Sequence, residues 1–112
     1  MDTVKKYQEI IINLLSDFTS KGLANPGLEK QLIADNERNR FQVIVFGWEN
    51  RDKLVNSVLI HLEIKDGKIW IQQNWTEVEI AKELMDKGVP KSDIVLVFLP
   101  EYMRADTEFE VA

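Results

Sequence analysis

Cysteine is absent from this 112-residue chain, and histidine occurs once, as His61. The absence of cysteine excludes disulfides, thiol catalysis and cysteine-bound metals, and it is typical of a protein from a reducing compartment. A catalytic dyad or a metal site that uses histidine would have to be built around His61 alone. A lone histidine in a predicted strand is better explained as a cross-strand hydrogen-bonding residue. The sequence therefore predicts no catalytic residue, no metal ligand and no cofactor.

Long apolar runs and phosphate-binding glycine motifs are also missing. No run approaches the ~18 residues of a membrane span, and the first residues lack the charged-then-apolar pattern of a signal peptide. The five glycines lie where turns, helix ends or strands are expected, and none belongs to a phosphate-binding loop. We therefore expect a cytoplasmic protein that has no membrane partner.

The net charge is −5, and the acidic excess lies in the second half of the chain. An acidic protein repels nucleic-acid phosphate at long range. The basic residues Arg38 and Arg40 are separated from Arg51 and Lys53 by a predicted strand, a distance of more than ~20 Å. They also alternate with acidic residues, so we interpret them as solvated turn charges. Contact with nucleic acid is therefore expected to be indirect only.

Two segments have the apolar spacing of amphipathic helices. The first begins near Asp2 or Thr3, either of which can cap it, and carries apolar residues at three- and four-residue steps. The second is predicted to begin with a capping box formed by Thr76 and Glu79 and to end at Gly88. Both helices have one apolar side, so each is expected to lie on a sheet.

The remaining apolar segments are predicted strands, at residues 28–35, 41–48, 54–65, 68–73 and 94–99. Short polar turns, with no helix, separate the first four, and this arrangement predicts an antiparallel meander. We therefore predict one α+β domain over residues 1–112. It comprises an N-terminal helix, a four-stranded antiparallel meander, a second helix and a final strand, with the helices on one face of the sheet.

Asp66–Gly67 is a two-residue hairpin signal that determines which strand residues share a face. A loop of this kind pairs Glu63 with Trp70 and His61 with Gln72. The aliphatic residues between them point to the other side of the sheet. That aliphatic side is the one that we expect the two helices to cover.

The second side of the predicted sheet combines aromatic and polar residues. In addition to the four paired residues it carries Leu59. The second strand adds either Ile44, Phe46 and Trp48 or Phe41, Val43 and Val45, and the first set is favoured because Gln42 continues its alternation. Two helices suffice for only one face, so these aromatic residues are expected to be uncovered. Aromatic patches among polar groups mark interaction surfaces. Two alternatives remain: the tail folds over this side, or the tryptophans pack at a sheet edge.

A distinctive motif spans the predicted hairpin and second helix. It comprises residues 61–74 (HLEIKDGKIWIQQN), Thr76–Glu77 and residues 88–96 (GVPKSDIVL). This pattern resembles the XisI family, named for the factor that controls excision of the fdxN element in heterocyst-forming cyanobacteria. The resemblance implies a small α+β accessory protein with no enzymatic activity and no cofactor. It also implies a companion protein, XisH, that acts with it when a site-specific recombinase excises a DNA element.

The resemblance and the absence of catalytic motifs lead to one functional hypothesis. The chain is a XisI-like accessory protein that binds a XisH-like partner and forms a homo-oligomer, a dimer. The partner-binding residues are predicted to be Phe46, Trp48, His61, Trp70, Gln72, Tyr102 and Arg104. The alternatives are a DNA-binding oligomer and a metal-dependent hydrolase subunit.

Overall fold

A computed structural model describes residues 2–23, 25–104 and 107–110, apart from the side chain of Glu101. The elements are α1 (Thr3–Ser20), β1 (Leu28–Asp35), β2 (Arg40–Asn50), β3 (Lys53–Lys65), β4 (Lys68–Asn74), α2 (Ile80–Asp86), a 3₁₀ helix (Lys91–Asp93), β5 (Ile94–Leu96) and α3 (Glu101–Arg104). The strands form one sheet in the order β1-β2-β3-β4-β5. The first four are antiparallel and β5 is parallel to β4. The predicted α+β fold, with its meander, second helix and final strand, is therefore confirmed.

The hydrophobic core lies between the sheet and the two longer helices. Helix α1 is capped by Asp2, whose Oδ1 accepts a hydrogen bond from the Val4 N–H at 3.0 Å. Its buried side chains are Tyr7, Ile11, Leu14 and Leu15. They share a core with Ile80 and Leu84 of α2 and with the sheet residues Phe41, Val43, Ile60, Leu62, Ile64, Ile69, Ile71, Ile94 and Leu96. Both helices thus cover one face, as the apolar spacing predicts.

The start of α2 differs from the capping box that the sequence predicts. Glu79 makes no capping hydrogen bond through its side chain, and the helix begins only at Ile80. The Thr76 hydroxyl instead accepts from the Val78 N–H, within a turn that Asn74 holds through hydrogen bonds to Thr76 and Val78. The prediction was wrong because the Asn74 side chain builds an alternative turn that delays the helix.

The β3–β4 hairpin has the predicted turn and most of the predicted register. Asp66 and Gly67 both have positive φ, 54° and 73°, as a type I′ turn requires. Glu63 pairs with Trp70 as expected, but His61 pairs with Gln73 instead of Gln72. The extra residue is a β-bulge, which arises from strand pairing and not from the local sequence.

A second bulge corrects the predicted position of Leu59. Val43 pairs with Ile60, whereas Ile44 pairs with Val58, so Leu59 is the extra residue of β3. Leu59 packs against the helix-side core, and Val58 takes the position expected for it beside Ile44. Leu59 therefore lies on the aliphatic side of the sheet, and Val58 instead of Leu59 lies on the second side.

The described part of the tail runs beside β5. Glu110 forms a parallel bridge with Val95, and its N–H donates to the Ile94 carbonyl at 2.9 Å. The carboxylate of Glu110 also lies 3.6 Å from Lys68 Nζ. This segment extends the β5 edge of the sheet, where Val95, which pairs with Trp70 and shares its side of the sheet, is fully buried. In the described ranges, no helix combines the length and apolar character needed to cross a membrane.

Candidate protein-binding face

The side of the sheet opposite α1 and α2, here called the open face, is the candidate functional site. Strand alternation places these residues on it: Gln31, Ile33, Gln42, Ile44, Phe46, Trp48, Leu54, Val58, His61, Glu63 and Trp70. The alternating residues Phe41, Val43 and Val45 of β2 are buried. The predicted set of Ile44, Phe46 and Trp48 is therefore the one that faces away from the helices.

One end of the open face is apolar and exposed. Trp48 pairs with Leu54 across β2 and β3, and their exposed fractions are 53% and 62%. Phe46, two residues before Trp48 on the same side of β2, is half-buried. The exposed Ile33 of β1 lies further along the sheet, where it pairs with Gln42. Large apolar side chains on adjacent strands form a contiguous patch of the kind that proteins use for association.

The centre of the open face holds a chain of polar side chains around His61. The Gln42 side-chain nitrogen lies 3.1 Å from His61 Nδ1. His61 Nε2 lies 3.6 Å from a Glu63 oxygen, and Arg40 Nε lies 3.6 Å from the other Glu63 oxygen. His61 thus has the cross-strand role that the sequence suggests.

Trp70 lies at the β4 end of the open face and is held by the hairpin next to it. Its indole N–H donates to the Lys65 carbonyl at 2.9 Å. The Lys65 ammonium lies 5.1 Å from the ring centroid, within cation–π distance. Trp70 is half-buried, so its polar atom and part of its ring already have partners within the protein.

The tail residues among the predicted contacts, Tyr102 and Arg104, lie on the short helix α3 that follows β5. Tyr102 is 77% exposed on α3. The Arg104 guanidinium donates to the carbonyls of Leu96, Val97 and Leu99 at 2.9–3.2 Å. Arg104 therefore holds the loop that follows β5. The structure brings Phe46, Trp48, His61 and Trp70 onto one surface, places Gln72 at the bulge, and gives Arg104 partners in the loop after β5.

Sequence reasoning did not single out Ile33, Leu54 and Trp75, which are among the exposed apolar residues. Leu54 completes the apolar end of the open face, whereas Ile33 lies beside Gln42 at its centre. Strand alternation relative to Trp48 could have placed both on this side. Trp75 is strongly exposed and lines a cavity of about 570 Å³ with Val58 and Gln73. No periodic signal marks Trp75, because it follows the end of β4.

A second concave region lies between α2, β4 and β5. It has a volume of about 580 Å³ and an apolar lining that includes Val78, Met85, Phe98 and Phe109. In the described ranges, His, Asp and Glu form no group of three that could hold a metal ion. The open face and this groove both offer apolar contact area, and the residues at neither site include a nucleophile–base pair.

These features define an α+β protein whose two longer helices cover one side of the sheet. The family model described as XisI protein matches residues 1–111. A crystal structure of a XisI-like protein from Anabaena variabilis is 42% identical, with a TM-score of 0.89 over 97% of this chain and 99% of that one. The fdxN element excision controlling factor XisI from Anabaena variabilis is 30% identical, with a TM-score of 0.84 over 99% and 100%. The chain belongs to the XisI family. The comparison with curated proteins returned no match.

Proposed function

We propose that this protein is a non-enzymatic accessory factor that binds another protein through its open face. Its partner is a XisH-like protein, and the complex acts in the control of site-specific excision of a DNA element. The observation that carries the proposal is the apolar end of the open face, where Trp48 and Leu54 are more than half exposed on rigid, paired strands.

Energetic reasoning favours protein binding at this surface. Tryptophan on a rigid strand loses little conformational entropy on binding and buries a large area, which is why it is enriched at interface hot spots. The surrounding polar residues, including Gln42 and Glu63, supply the rim that is typical of such interfaces. The related Anabaena protein is described as an excision controlling factor, and a protein-binding surface fits a controlling role.

Charge supports an indirect relationship with DNA. The net charge of −5 opposes the approach of phosphate. Arg40 on the open face lies within 3.6 Å of Glu63, and Arg104 is used by three backbone carbonyls. The recombination machinery would therefore be reached through the partner.

The test is direct binding between the purified protein and a purified XisH-like protein, measured by isothermal titration calorimetry. We expect Trp48→Ala to weaken binding about 30-fold, the loss typical of a tryptophan hot spot. Phe98→Ala is the matched control, because Phe98 is 49% exposed in the loop after β5 and off the open face. Circular dichroism should show that both variants fold.

Equal affinity of the Trp48→Ala variant and the unmodified protein would refute the assignment of the open face. Failure of the unmodified protein to bind any XisH-like protein would refute the choice of partner. Fluorescence anisotropy with duplex DNA provides a further check, and we expect no binding by the protein alone at physiological salt. Tight, salt-dependent DNA binding would favour a DNA-binding oligomer instead.

A further inference from the structure

The two edges of the sheet differ in how they end. The β5 edge is extended by Glu110, which bridges to Val95. The β1 edge, Leu28–Asp35, has no neighbouring strand beyond it among the described residues. It is eight residues long, contains no proline and pairs with β2 without a bulge. A short strand, a proline and a bulge are three features that keep an edge strand from pairing with another chain, and β1 has none of them.

Hydrogen bonds at the start of β1 show which backbone groups point outward. The Trp48 N–H donates to the Gly27 carbonyl at 3.0 Å, so Gly27 faces β2. The Leu28 N–H donates at 3.2 Å to Asn25, outside the sheet. Antiparallel ladders alternate between inward and outward residues. The backbone groups of Lys30, Leu32 and Ala34 therefore point away from β2, where the described residues offer them no hydrogen-bond partner.

We propose that β1 pairs antiparallel with β1 of a second copy of this chain, with Gln31 on the two-fold axis. The pairing joins two five-stranded sheets into one and places both open faces on the same side. It goes beyond the proposed function, since it requires no XisH-like partner. The second copy is the occupant because a two-fold axis at Gln31 makes the strand complementary to itself.

Charge disfavours the two neighbouring registers that the outward groups also allow. A shift by one residue would oppose inward to outward groups, so only every second register can form. With the axis at Lys30, the two copies of Lys30 would lie directly opposite each other. With the axis at Leu32, Glu29 would oppose Asp35 of the second copy. Like charges directly opposed across strands are destabilising, so both neighbouring registers are disfavoured.

The register with Gln31 on the axis opposes no like charges and gives the outward backbone N–H groups of β1 hydrogen-bond acceptors. Lys30 and Leu32 exchange hydrogen bonds with Leu32 and Lys30 of the second copy, and the Ala34 N–H reaches the Leu28 carbonyl. On the open face Glu29 lies opposite Ile33 of the second copy, and the two Gln31 side chains meet at the centre. The exposed Ile33 side chain thereby gains a neighbour across the seam.

Sedimentation equilibrium tests the proposal. The unmodified protein should have twice the 13.0 kDa mass of one chain. Gln31→Lys and Gln31→Glu, both at an exposed position, should each raise the dimer dissociation constant about fivefold, through like charges at the axis. An equimolar mixture of the two variants should dimerise more tightly than either alone. The matched control is Ser92→Lys, an equal charge change at an exposed site near β5, and it should leave the mass unchanged.

Amide hydrogen exchange supplies a second readout that does not depend on charge. In the dimer, the outward N–H groups of Lys30, Leu32 and Ala34 should be protected, and they should exchange faster in Gln31→Lys. The inward N–H groups of Gln31 and Ile33 should stay protected in both proteins. A monomeric unmodified protein, a dimer unaffected by Gln31→Lys, or variants that do not recombine in the mixture would each overturn the proposal.

Discussion

Replacement of Tyr7 by phenylalanine probes how α1 is fastened to the segment that leads into β5. Tyr7 is 3% exposed, and its hydroxyl donates a hydrogen bond to the Asp93 carboxylate, at the end of the 3₁₀ helix. Burial, with help from this hydrogen bond and the Asp93 charge, raises the pKa of Tyr7 to about 12. Tyr7→Phe removes the hydroxyl and leaves the ring packing in place.

The lost hydrogen bond determines the size of the effect. A hydrogen bond to a charged group contributes about 1.5–3 kcal/mol to stability. Burial is the main cause of the raised pKa of Tyr7, and it disfavours the ionised form of the side chain. Because phenylalanine is easier to bury, we expect Tyr7→Phe to lower the free energy of unfolding by about 2 kcal/mol near neutral pH. The melting temperature should fall by about 10 °C.

The pH dependence of this difference provides the sharper test. The pKa of Tyr7 is higher in the folded than in the unfolded protein, so its contribution is complete below about pH 10 and is lost as the pH rises towards 12. The stability excess of the unmodified protein over Tyr7→Phe, measured by urea unfolding at pH 8, 10 and 11, should shrink in the last interval. Tyr102→Phe is the matched control, because Tyr102 is exposed. An excess that stays constant up to pH 11.5 would refute the assigned pKa shift, and no excess at pH 8 would refute the fastening role.

Two further substitutions test the sheet and the tail. Gly47→Ala should lower the free energy of unfolding by about 3 kcal/mol, because Gly47 has a φ of +131° and a Cβ there would lie 2.1 Å from the Gly27 carbonyl oxygen. The control is Gly22→Ala, where a Cβ meets nothing within 4 Å. Equal loss of stability in the two variants, measured by thermal unfolding, would contradict this prediction. Arg104→Ala should cost about 1–2 kcal/mol in chemical unfolding, because it removes donors from three loop carbonyls; unchanged stability would show that Arg104 is free to contact a partner.

Local sequence patterns predicted the helices and strands. Contacts between strands determined where a β-bulge interrupts the regular pairing. The Asp66–Gly67 turn is encoded by two residues that tolerate positive φ, so the β3–β4 register next to it was correct. Further along the hairpin, the bulge changed the partner of His61 from Gln72 to Gln73. A bulge depends on how three strands adjust to one another, and no residue at this position signals it.

The sequence predicted those residues of the candidate site whose side of the sheet follows from strand alternation alone. Alternation correctly placed Phe46, Trp48 and Trp70 on the side away from the helices. It could not show that Arg104 would turn its guanidinium towards nearby carbonyls, because that contact depends on the path of the loop after β5. It also could not reveal the groove beside α2, whose walls come from segments that are distant in the sequence.

The two tryptophans of the open face are unequal as candidates for partner binding. Trp70 already donates its indole N–H to Lys65 and stacks below the Lys65 ammonium, so a partner gains only the remaining exposed part of its ring. Trp48 is 53% exposed, and burying its apolar surface contributes roughly 25 cal/mol per Å². Binding energy should therefore be concentrated at the Trp48 end, near the β2–β3 hairpin, while Trp70 maintains the shape of the surface. In calorimetry, Trp48→Ala should weaken the XisH-like complex more than Trp70→Ala does, whereas Trp70→Ala should lower the melting temperature more. The reverse order would place the centre of the interface at the β4 end of the sheet.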